Sequence, residues 1–195
     1  MKVLLFAALV LSSVSTVAAA PPPEGEDLVG TRAPPFELKQ WVRSSPIEIE
    51  DLHGKVVLVR WWTDGCPFCS TSAPALNDLQ RCYGERGLQV IGIYHPKPAG
   101  HQDEDRVKQL AQKLGFRFPV GIDTDWKALK RWWLSHGRRG WTSVSFLVDK
   151  EGIIRYVHPG GEYHEGPGGP HWRNHGLCHR DYDQIETLIV QLLAQ

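Results

Sequence analysis

The sequence predicts an α/β protein with a central mixed β-sheet flanked by helices. Two observations lead to this prediction. Short runs rich in apolar and β-branched residues alternate along the chain with segments whose apolar residues recur at helical spacing, which is typical of an α/β layer sheet. Two of these runs, "VVLVRWW" and "LQVIGIY", are apolar along most of their length, which is typical of strands buried in the middle of a sheet.

The first half of the chain predicts strands on both sides of one helix. "FELKQWVRSSPIEIEDL" indicates two short strands around the turn-like stretch Arg43–Pro46. "GKVVLVRWW" then indicates a buried central strand. A helix is expected from Pro67, because proline favours the first helical position, and either Gly84 or Gly87 would end it. "LQVIGIY" follows as the second buried strand.

The second half predicts three helices and a hairpin. "DEDRVKQLAQKLG" begins with acidic residues and ends at Gly115, and "DTDWKALKRWWLSHG" has Asp123 or Thr124 as its cap. "SVSFLVDKEGIIRYV" indicates two strands that turn around Asp149–Gly152. "DYDQIETLIVQLLAQ" closes the chain as an amphipathic helix. Before it, His158–Arg180 is rich in Gly, Pro and His and is predicted to be a long loop.

Four tryptophans cluster within residues 126–141, just before the predicted hairpin: Trp126, Trp132, Trp133 and Trp141. Core packing is expected for most of them, because large aromatic side chains bury much apolar surface. Adjacent residues of a helix do not share a face. We therefore expect one of Trp132 and Trp133 in the core and the other at the rim of a groove.

The first twenty residues have the pattern of a secretory signal peptide. One early lysine is followed by an apolar run and then by small residues, with a predicted cleavage site near Ala19 or Ala20. The apolar run is shorter than the roughly 20 residues of a membrane-spanning helix. We expect a signal peptide over residues 1–20, a proline-rich linker over 21–32 and one domain over 33–195, with no membrane anchor after cleavage.

Composition narrows the possible functions. Lys plus Arg and Asp plus Glu both number 22, so the formal net charge is zero and nothing indicates nucleic-acid binding. Export would place the protein in the periplasm or outside the cell, where disulfides persist. Four cysteines are too few for a disulfide scaffold in a chain of this length. The pair Cys66 and Cys69 is then either a structural bridge or a redox-active dithiol. A monomer is expected.

A C-x-x-C pair that opens a helix suits thiol-disulfide exchange. A thiolate attacks a disulfide sulfur, and a nearby second thiol then resolves the mixed disulfide. The partial positive charge at a helix N-terminus lowers the pKa of an exposed first cysteine. Cys66 is therefore predicted to be the nucleophile and Cys69 the resolving thiol. Pro67 has no amide hydrogen to lose and pre-sets the start of the helix.

From about Leu28 to Ala194 the chain resembles the thioredoxin fold, and within it the exported thioredoxin-like (TlpA-like, redoxin) thiol-disulfide oxidoreductases. The likeness lies in "GTRAPPFEL", in "GKVVLVRWWTDGCPFC" with its aromatic pair ending at Trp62, and in "FRFPVGID" and "SFLVDKEGIIR". Pro74 stands where that family kinks its first helix. The resemblance implies an enzyme without a cofactor. Its partners would be disulfide-bonded or dithiol proteins and an upstream electron donor.

Three positions depart from the family pattern, and one of them is Gly65, where the family often has an aromatic residue just before the first cysteine. The family usually has a cis-proline beside the cysteine pair, where this chain has Ser143, and this difference favours the peroxidase-like branches of the fold. The buried acid that often precedes the aromatic pair is replaced by Arg60. If Arg60 points behind the cysteines, its charge favours the Cys66 thiolate, whereas one residue's shift in the strand would turn it to the surface.

Two other functions remain open from the sequence. A peroxiredoxin-like peroxidase is suggested by Thr63, three residues before Cys66. A copper- or zinc-handling protein would combine the cysteine pair with ligands from the His-rich loop, since thiolates and imidazoles suit these metals. The weak candidates for such ligands are His171, His175, Cys178 and His179.

The remaining cysteines, Cys82 and Cys178, allow two interpretations. In an oxidising compartment they would form a structural bridge that fixes the loop, provided that their α-carbons approach within about 7 Å. Alternatively, Cys178 would be an additional resolving thiol.

Overall fold

The computed structural model describes residues 23–165 and 176–195. In this part of the chain the strands are β1 (Gln40–Val42), β2 (Val56–Trp62), β3 (Leu88–Tyr94), β4 (Val120–Ile122), β5 (Ser145–Val148) and β6 (Ile154–His158). The helices are α1 (Pro67–Tyr83), α2 (Glu104–Lys113), α3 (Lys127–Leu129), which a π-helical turn (Lys130–Leu134) extends, and α4 (Gly176–Leu193). Short 3₁₀ turns occupy Glu26–Leu28, Ile49–Leu52 and Gly84–Arg86.

The strands form one mixed sheet in the order β1-β4-β3-β2-β5-β6. The central pairs β2–β3 and β3–β4 are parallel, whereas β1, β5 and β6 each run antiparallel to a neighbour. All seven residues of β2 are buried, which explains its nearly continuous apolar sequence. The predicted α/β class with a mixed sheet is therefore confirmed.

Helices cover both faces of the sheet, and each face has its own apolar core. One core joins β2 and β3 to α1, α2 and α4. The other joins the opposite face to α3 and to apolar residues of the N-terminal segment from Leu28 to Leu52. Because side chains alternate along a strand, Trp61 packs in the second core and Trp62 in the first. Arg60 shares the face of Trp62, toward α1.

Several local predictions are confirmed. The helix after the cysteines begins at Pro67, the hairpin turns between β5 and β6, and the acidic segment from Glu104 forms α2. The N-cap of α3 is Trp126 and neither Asp123 nor Thr124. The Asp123 carboxylate nevertheless accepts hydrogen bonds from the amides of Ala128 (3.3 Å) and Leu129 (2.7 Å) in α3.

Other local predictions were wrong. The second short strand of the N-terminal segment is a 3₁₀ turn, Ile49–Leu52, which a capping box between Glu48 and Asp51 stabilises. Trp132 and Trp133 are both buried, because the chain forms a π-helical turn there, with Ser135 N–H bonded to Lys130 C=O, and adjacent residues diverge less than in an α-helix.

The predicted loop His158–Arg180 is shorter at both ends. His158 belongs to β6, where it pairs with Ser145, and α4 already begins at Gly176. No glycine or proline follows Gly176 before the amphipathic part of the helix, so nothing in the sequence prevents the earlier start. The proposed signal peptide lies outside the described residues. Within the described ranges, no helix combines the length and apolar character needed to cross a membrane.

Candidate active site

The two cysteines of the C-x-x-C motif lie at the start of α1, beyond the carboxyl end of the central strand β2. Cys66 is the N-cap residue with an extended backbone, and Pro67 is the first helical residue, as predicted. The Cys69 amide donates a hydrogen bond to Cys66 Sγ (3.4 Å). Gly65 has a φ of 68°, a left-handed conformation that glycine adopts without strain and that turns the chain from β2 into the helix.

The two thiols differ in exposure. Both are free in the structure; Cys66 is partly exposed, whereas Cys69 is 2% exposed and packs in the core beneath α1. Only Cys66 can therefore meet the disulfide of another protein without rearrangement of the helix.

Cys66 lies between two clefts. One, of about 330 Å³, passes along the α2 side, and the other, of about 420 Å³, passes along the Trp141 side. Trp141 is 48% exposed and packs edge-on against Phe68, with ring centroids 5.4 Å apart. The large apolar side chains that line the first cleft include Trp62, Leu110 and Leu114. These surfaces would accommodate apolar side chains on both sides of a bound disulfide.

Ser143 contacts both sulfur atoms. Its Oγ lies 3.6 Å from Cys66 Sγ and 3.2 Å from Cys69 Sγ. Ser143 holds this place because it immediately precedes the segment that pairs with β2, where Trp61 N–H bonds to Val144 C=O. The position beside the cysteines agrees with the one expected for the family proline, and here it presents a hydroxyl group to the dithiol.

Arg60 is buried behind the cysteine pair and is 1% exposed, so the inward of its two predicted orientations is observed. Its guanidinium donates to Ser145 Oγ (3.2 Å) and to Gly161 C=O (2.6 Å) and lies 5.3 Å from the centre of the Tyr163 ring. These partners are all uncharged. The positive charge therefore faces the sulfur atoms without a carboxylate among these contacts.

The surroundings separate the pKa values of the two thiols. A hydrogen bond from the Cys69 thiol is the largest cause that lowers the pKa of Cys66, to about 5, and Ser143, the Cys69 amide and the charge of Arg60 act in the same direction, while burial opposes them. The pKa of Cys69 is raised, first by its hydrogen bond to Cys66 and then by burial. The dithiol thus holds one negative charge, on Cys66.

We expect the alkylation rate of Cys66 in the reduced protein to rise with a midpoint near pH 5, because the thiolate is the reactive form. An unperturbed thiol would titrate near pH 8.5. Rates would be measured with iodoacetamide in a Cys82→Ser/Cys178→Ser background, which leaves the exposed Cys66 as the reactive thiol. Ser143→Ala should raise the midpoint by about one unit through loss of a hydrogen bond to the thiolate. A parent midpoint near that of a free thiol would contradict the assignment.

A polar cluster that the sequence does not predict lies at the rim of the first cleft. Asp64 accepts hydrogen bonds from Tyr94 Oη (2.8 Å) and from Arg106 (2.9 Å). Burial acts to raise the pKa of the Asp64 carboxyl, but the hydrogen bonds from Tyr94 and Arg106 together outweigh it, so the pKa is lowered. These residues come from β3 and α2 and share no motif with the C-x-x-C stretch, so only the fold brings them together.

Of the four weak candidates for metal ligands, two lie within the described residues. Cys178 and His179 lie in the first turn of α4, whereas His171 and His175 lie outside the described residues. Cys82 is an exposed free thiol and Cys178 a partly exposed one. The structure thus contains neither the Cys82–Cys178 bridge nor a bridge within the C-x-x-C pair.

The mixed sheet and the C-x-x-C pair at the start of α1 define a thioredoxin-fold protein. A thiol:disulfide interchange protein of the thioredoxin family from Chlorobium tepidum shares this fold, with a TM-score of 0.60 at 21% identity over 90% of this chain and 99% of that one. The chain belongs to the AhpC/TSA family, whose model matches residues 29–157. The predicted fold and the resemblance to redoxins are therefore confirmed.

The sequence similarity to curated relatives covers part of each protein. Thiol-disulfide oxidoreductase ResA of Bacillus thuringiensis is 30% identical over 126 residues, which cover 65% of this chain and 66% of ResA. Protein DipZ of Mycobacterium tuberculosis is 29% identical over 150 residues, which cover 77% of this chain. The chain spans only 18% of the length of DipZ.

Proposed function

We propose that the protein is a thiol-disulfide oxidoreductase that exchanges electrons with disulfide-bonded or dithiol proteins. The observation that carries the proposal is the asymmetry of the pair. A partly exposed Cys66 Sγ accepts a hydrogen bond from the Cys69 amide at the start of α1, and the second thiol is buried behind it. The similar protein ResA is named a thiol-disulfide oxidoreductase, which supports the proposal. The apolar clefts on both sides of Cys66 also suit a polypeptide substrate.

Reduction of a substrate would take two exchanges. The Cys66 thiolate attacks one sulfur of the substrate disulfide, the substrate S–S bond breaks, and one substrate thiolate leaves. Cys69 then loses its proton and attacks Cys66 Sγ, which releases the second substrate thiolate and leaves a Cys66–Cys69 disulfide. Two electrons pass to the substrate, and an upstream dithiol donor restores the pair. Oxidation of a dithiol substrate is the same sequence in reverse.

The structure supports a separate activation of Cys69 for the second exchange. The hydrogen bond to Cys66 is the largest cause that raises the pKa of Cys69. When Cys66 enters the mixed disulfide its negative charge disappears, and this cause is removed. The charge of Arg60 and the Ser143 hydroxyl, which both lower the pKa of Cys69, then act without that opposition. Burial still raises the pKa of Cys69, but loss of the largest raising cause would make Cys69 more reactive once a substrate is bound.

Export is part of the proposal. Residues 1–20 would be cleaved as a signal peptide, and the remaining chain would act as a monomer in the periplasm or outside the cell. The predicted linker 21–32 would belong in part to the domain, which was predicted over 33–195, because Leu28 is buried in the second core. The sequence pattern of the first twenty residues supports this location, and a redox-active pair can cycle through a disulfide there.

A peroxidase is the second candidate, because Thr63 lies at both clefts beside Cys66 and the AhpC/TSA family model matches the chain. A direct comparison tests the two functions. With dithiothreitol as donor, we expect the protein to accelerate insulin reduction and to leave hydrogen peroxide consumption at the rate of a Cys66→Ser control. Rapid peroxide consumption without insulin reduction would favour the peroxidase and contradict our proposal.

A further inference from the structure

A second group of reactive side chains contains none of the residues that form the dithiol site. It joins the segment after β6 to the first turn of α4 and contains Glu162, His164 and Cys178. One ligand atom from each of these residues (a carboxylate oxygen, an imidazole nitrogen and a thiol sulfur) lies within 4.8 Å of the other two. Cys178 Sγ is 3.8 Å from Glu162 Oε1. The proposed exchange reaction uses none of these residues.

The fold fixes one side of this group firmly. Tyr163, between two of the residues, is fully buried; its amide donates to Ser72 Oγ (3.1 Å) in α1, and its hydroxyl lies 3.1 Å from Ser145 Oγ. Arg60 binds the preceding Gly161 C=O. The segment is therefore attached to the sheet and to α1. This attachment also holds Glu162 and His164, the residues just before and after Tyr163 in the chain.

The donor set suits zinc. One thiolate, one imidazole and one carboxylate are all ligands of Zn²⁺, which binds them at about 2.0–2.3 Å in a tetrahedral arrangement. In such an arrangement the ligand atoms lie roughly 3.5 Å from one another, so the observed group needs only a small contraction. The fourth position has a candidate in His179, whose ring centroid is 4.9 Å from that of His164.

We propose that Glu162, His164 and Cys178 bind a divalent transition-metal ion of the Zn²⁺ type, with His179 or a water molecule as the fourth ligand. Cys178 loses its thiol proton to solvent when the metal binds, and no other bond changes. The ion would join α4 to the segment after β6, and through Gly161 it would be linked to Arg60 behind the dithiol. The site shares no ligand with the Cys66–Cys69 pair.

Metal binding by the reduced Cys66→Ser/Cys69→Ser protein tests the proposal, because this background removes the dithiol as a competing ligand. We expect one Zn²⁺ per chain in competition with a chromophoric chelator, and Co²⁺ should give a thiolate charge-transfer band. Adding Cys178→Ser should remove the band and weaken Zn²⁺ binding at least tenfold. Adding Glu162→Gln should weaken binding about tenfold and keep the band, because the thiolate remains.

Cys82→Ser in the same background is the matched control, since it removes an exposed thiol that is not part of the group. It should leave both the band and the Zn²⁺ affinity unchanged. Circular dichroism of each variant would verify that the fold is retained. A band that persists without Cys178, a loss of binding in the Cys82→Ser control, or the absence of stoichiometric Zn²⁺ in the background protein would overturn the proposal.

Discussion

Cys66→Ser is expected to abolish insulin reduction, whereas Cys69→Ser is expected to accumulate mixed disulfides with its substrate. The first variant lacks the only exposed thiol of the pair, and the remaining Cys69 is buried with a raised pKa. The second variant keeps the Cys66 thiolate but has no thiol to resolve the intermediate. Non-reducing electrophoresis after incubation with a disulfide-bonded protein, followed by mass spectrometry of any adduct, measures the difference.

The loss of activity should be nearly complete in both variants, but for different reasons. A Cys82→Ser variant is the control for removal of a thiol as such and should retain the parent activity. Adducts on Cys69 in the Cys66→Ser protein would reverse the two roles. If neither variant forms adducts and the parent also fails to reduce insulin, the pair is a structural bridge and the proposed function is wrong.

The part of the site that lies close together in the sequence could be predicted. A β-branched buried run, a cysteine, a proline and a second cysteine follow one another within residues 56–69, so local rules for strands and helix starts were sufficient. Ser143 could be placed beside the cysteines only through its resemblance to a family position. Nothing in its own neighbourhood indicates that its hydroxyl contacts both sulfur atoms.

Contacts between distant segments could not be predicted. Tyr163 reaches Ser72 and Ser145 across the core, and Cys178 meets Glu162 only because α4 begins earlier than the glycine-rich sequence suggested. These polar residues follow no apolar period, so the sequence pattern does not indicate which of them contact one another. The paired burial of Trp132 and Trp133 also depends on a π-helical turn, and the 3.6-residue period used for helices does not include that geometry.

The buried guanidinium of Arg60 leads to a prediction about the redox equilibrium. A charge buried among uncharged partners is costly, and the Cys66 thiolate is a negative charge that can offset it. This compensation exists only in the reduced protein, because the Cys66–Cys69 disulfide carries no charge. Arg60 should therefore stabilise the reduced form relative to the oxidised form and raise the reduction potential of the pair.

Arg60→Met removes the charge and keeps much of the side-chain volume. We expect its reduction potential to fall by about 30 mV or more, since about 1.4 kcal/mol of thiolate stabilisation corresponds to 30 mV for two electrons. Equilibration with glutathione or dithiothreitol buffers measures this potential. The pKa of Cys66, followed by thiolate absorbance, should rise in the same variant. Arg81→Met, which changes an exposed arginine of α1, is the matched control and should alter neither quantity.

A thermodynamic cycle gives an independent measurement of the same effect. Urea denaturation gives the unfolding free energies of the oxidised and the reduced protein. Converted to a free energy, the change in reduction potential must match in size the change in the difference between these two values. Arg60→Met should therefore gain stability in the oxidised form relative to the reduced form. Arg60→Lys retains the charge and should show a smaller shift of potential. If Arg60→Met and the parent have equal potentials while both remain folded, the charge of Arg60 does not act on the dithiol, and its role is confined to holding Gly161 and Ser145 in place.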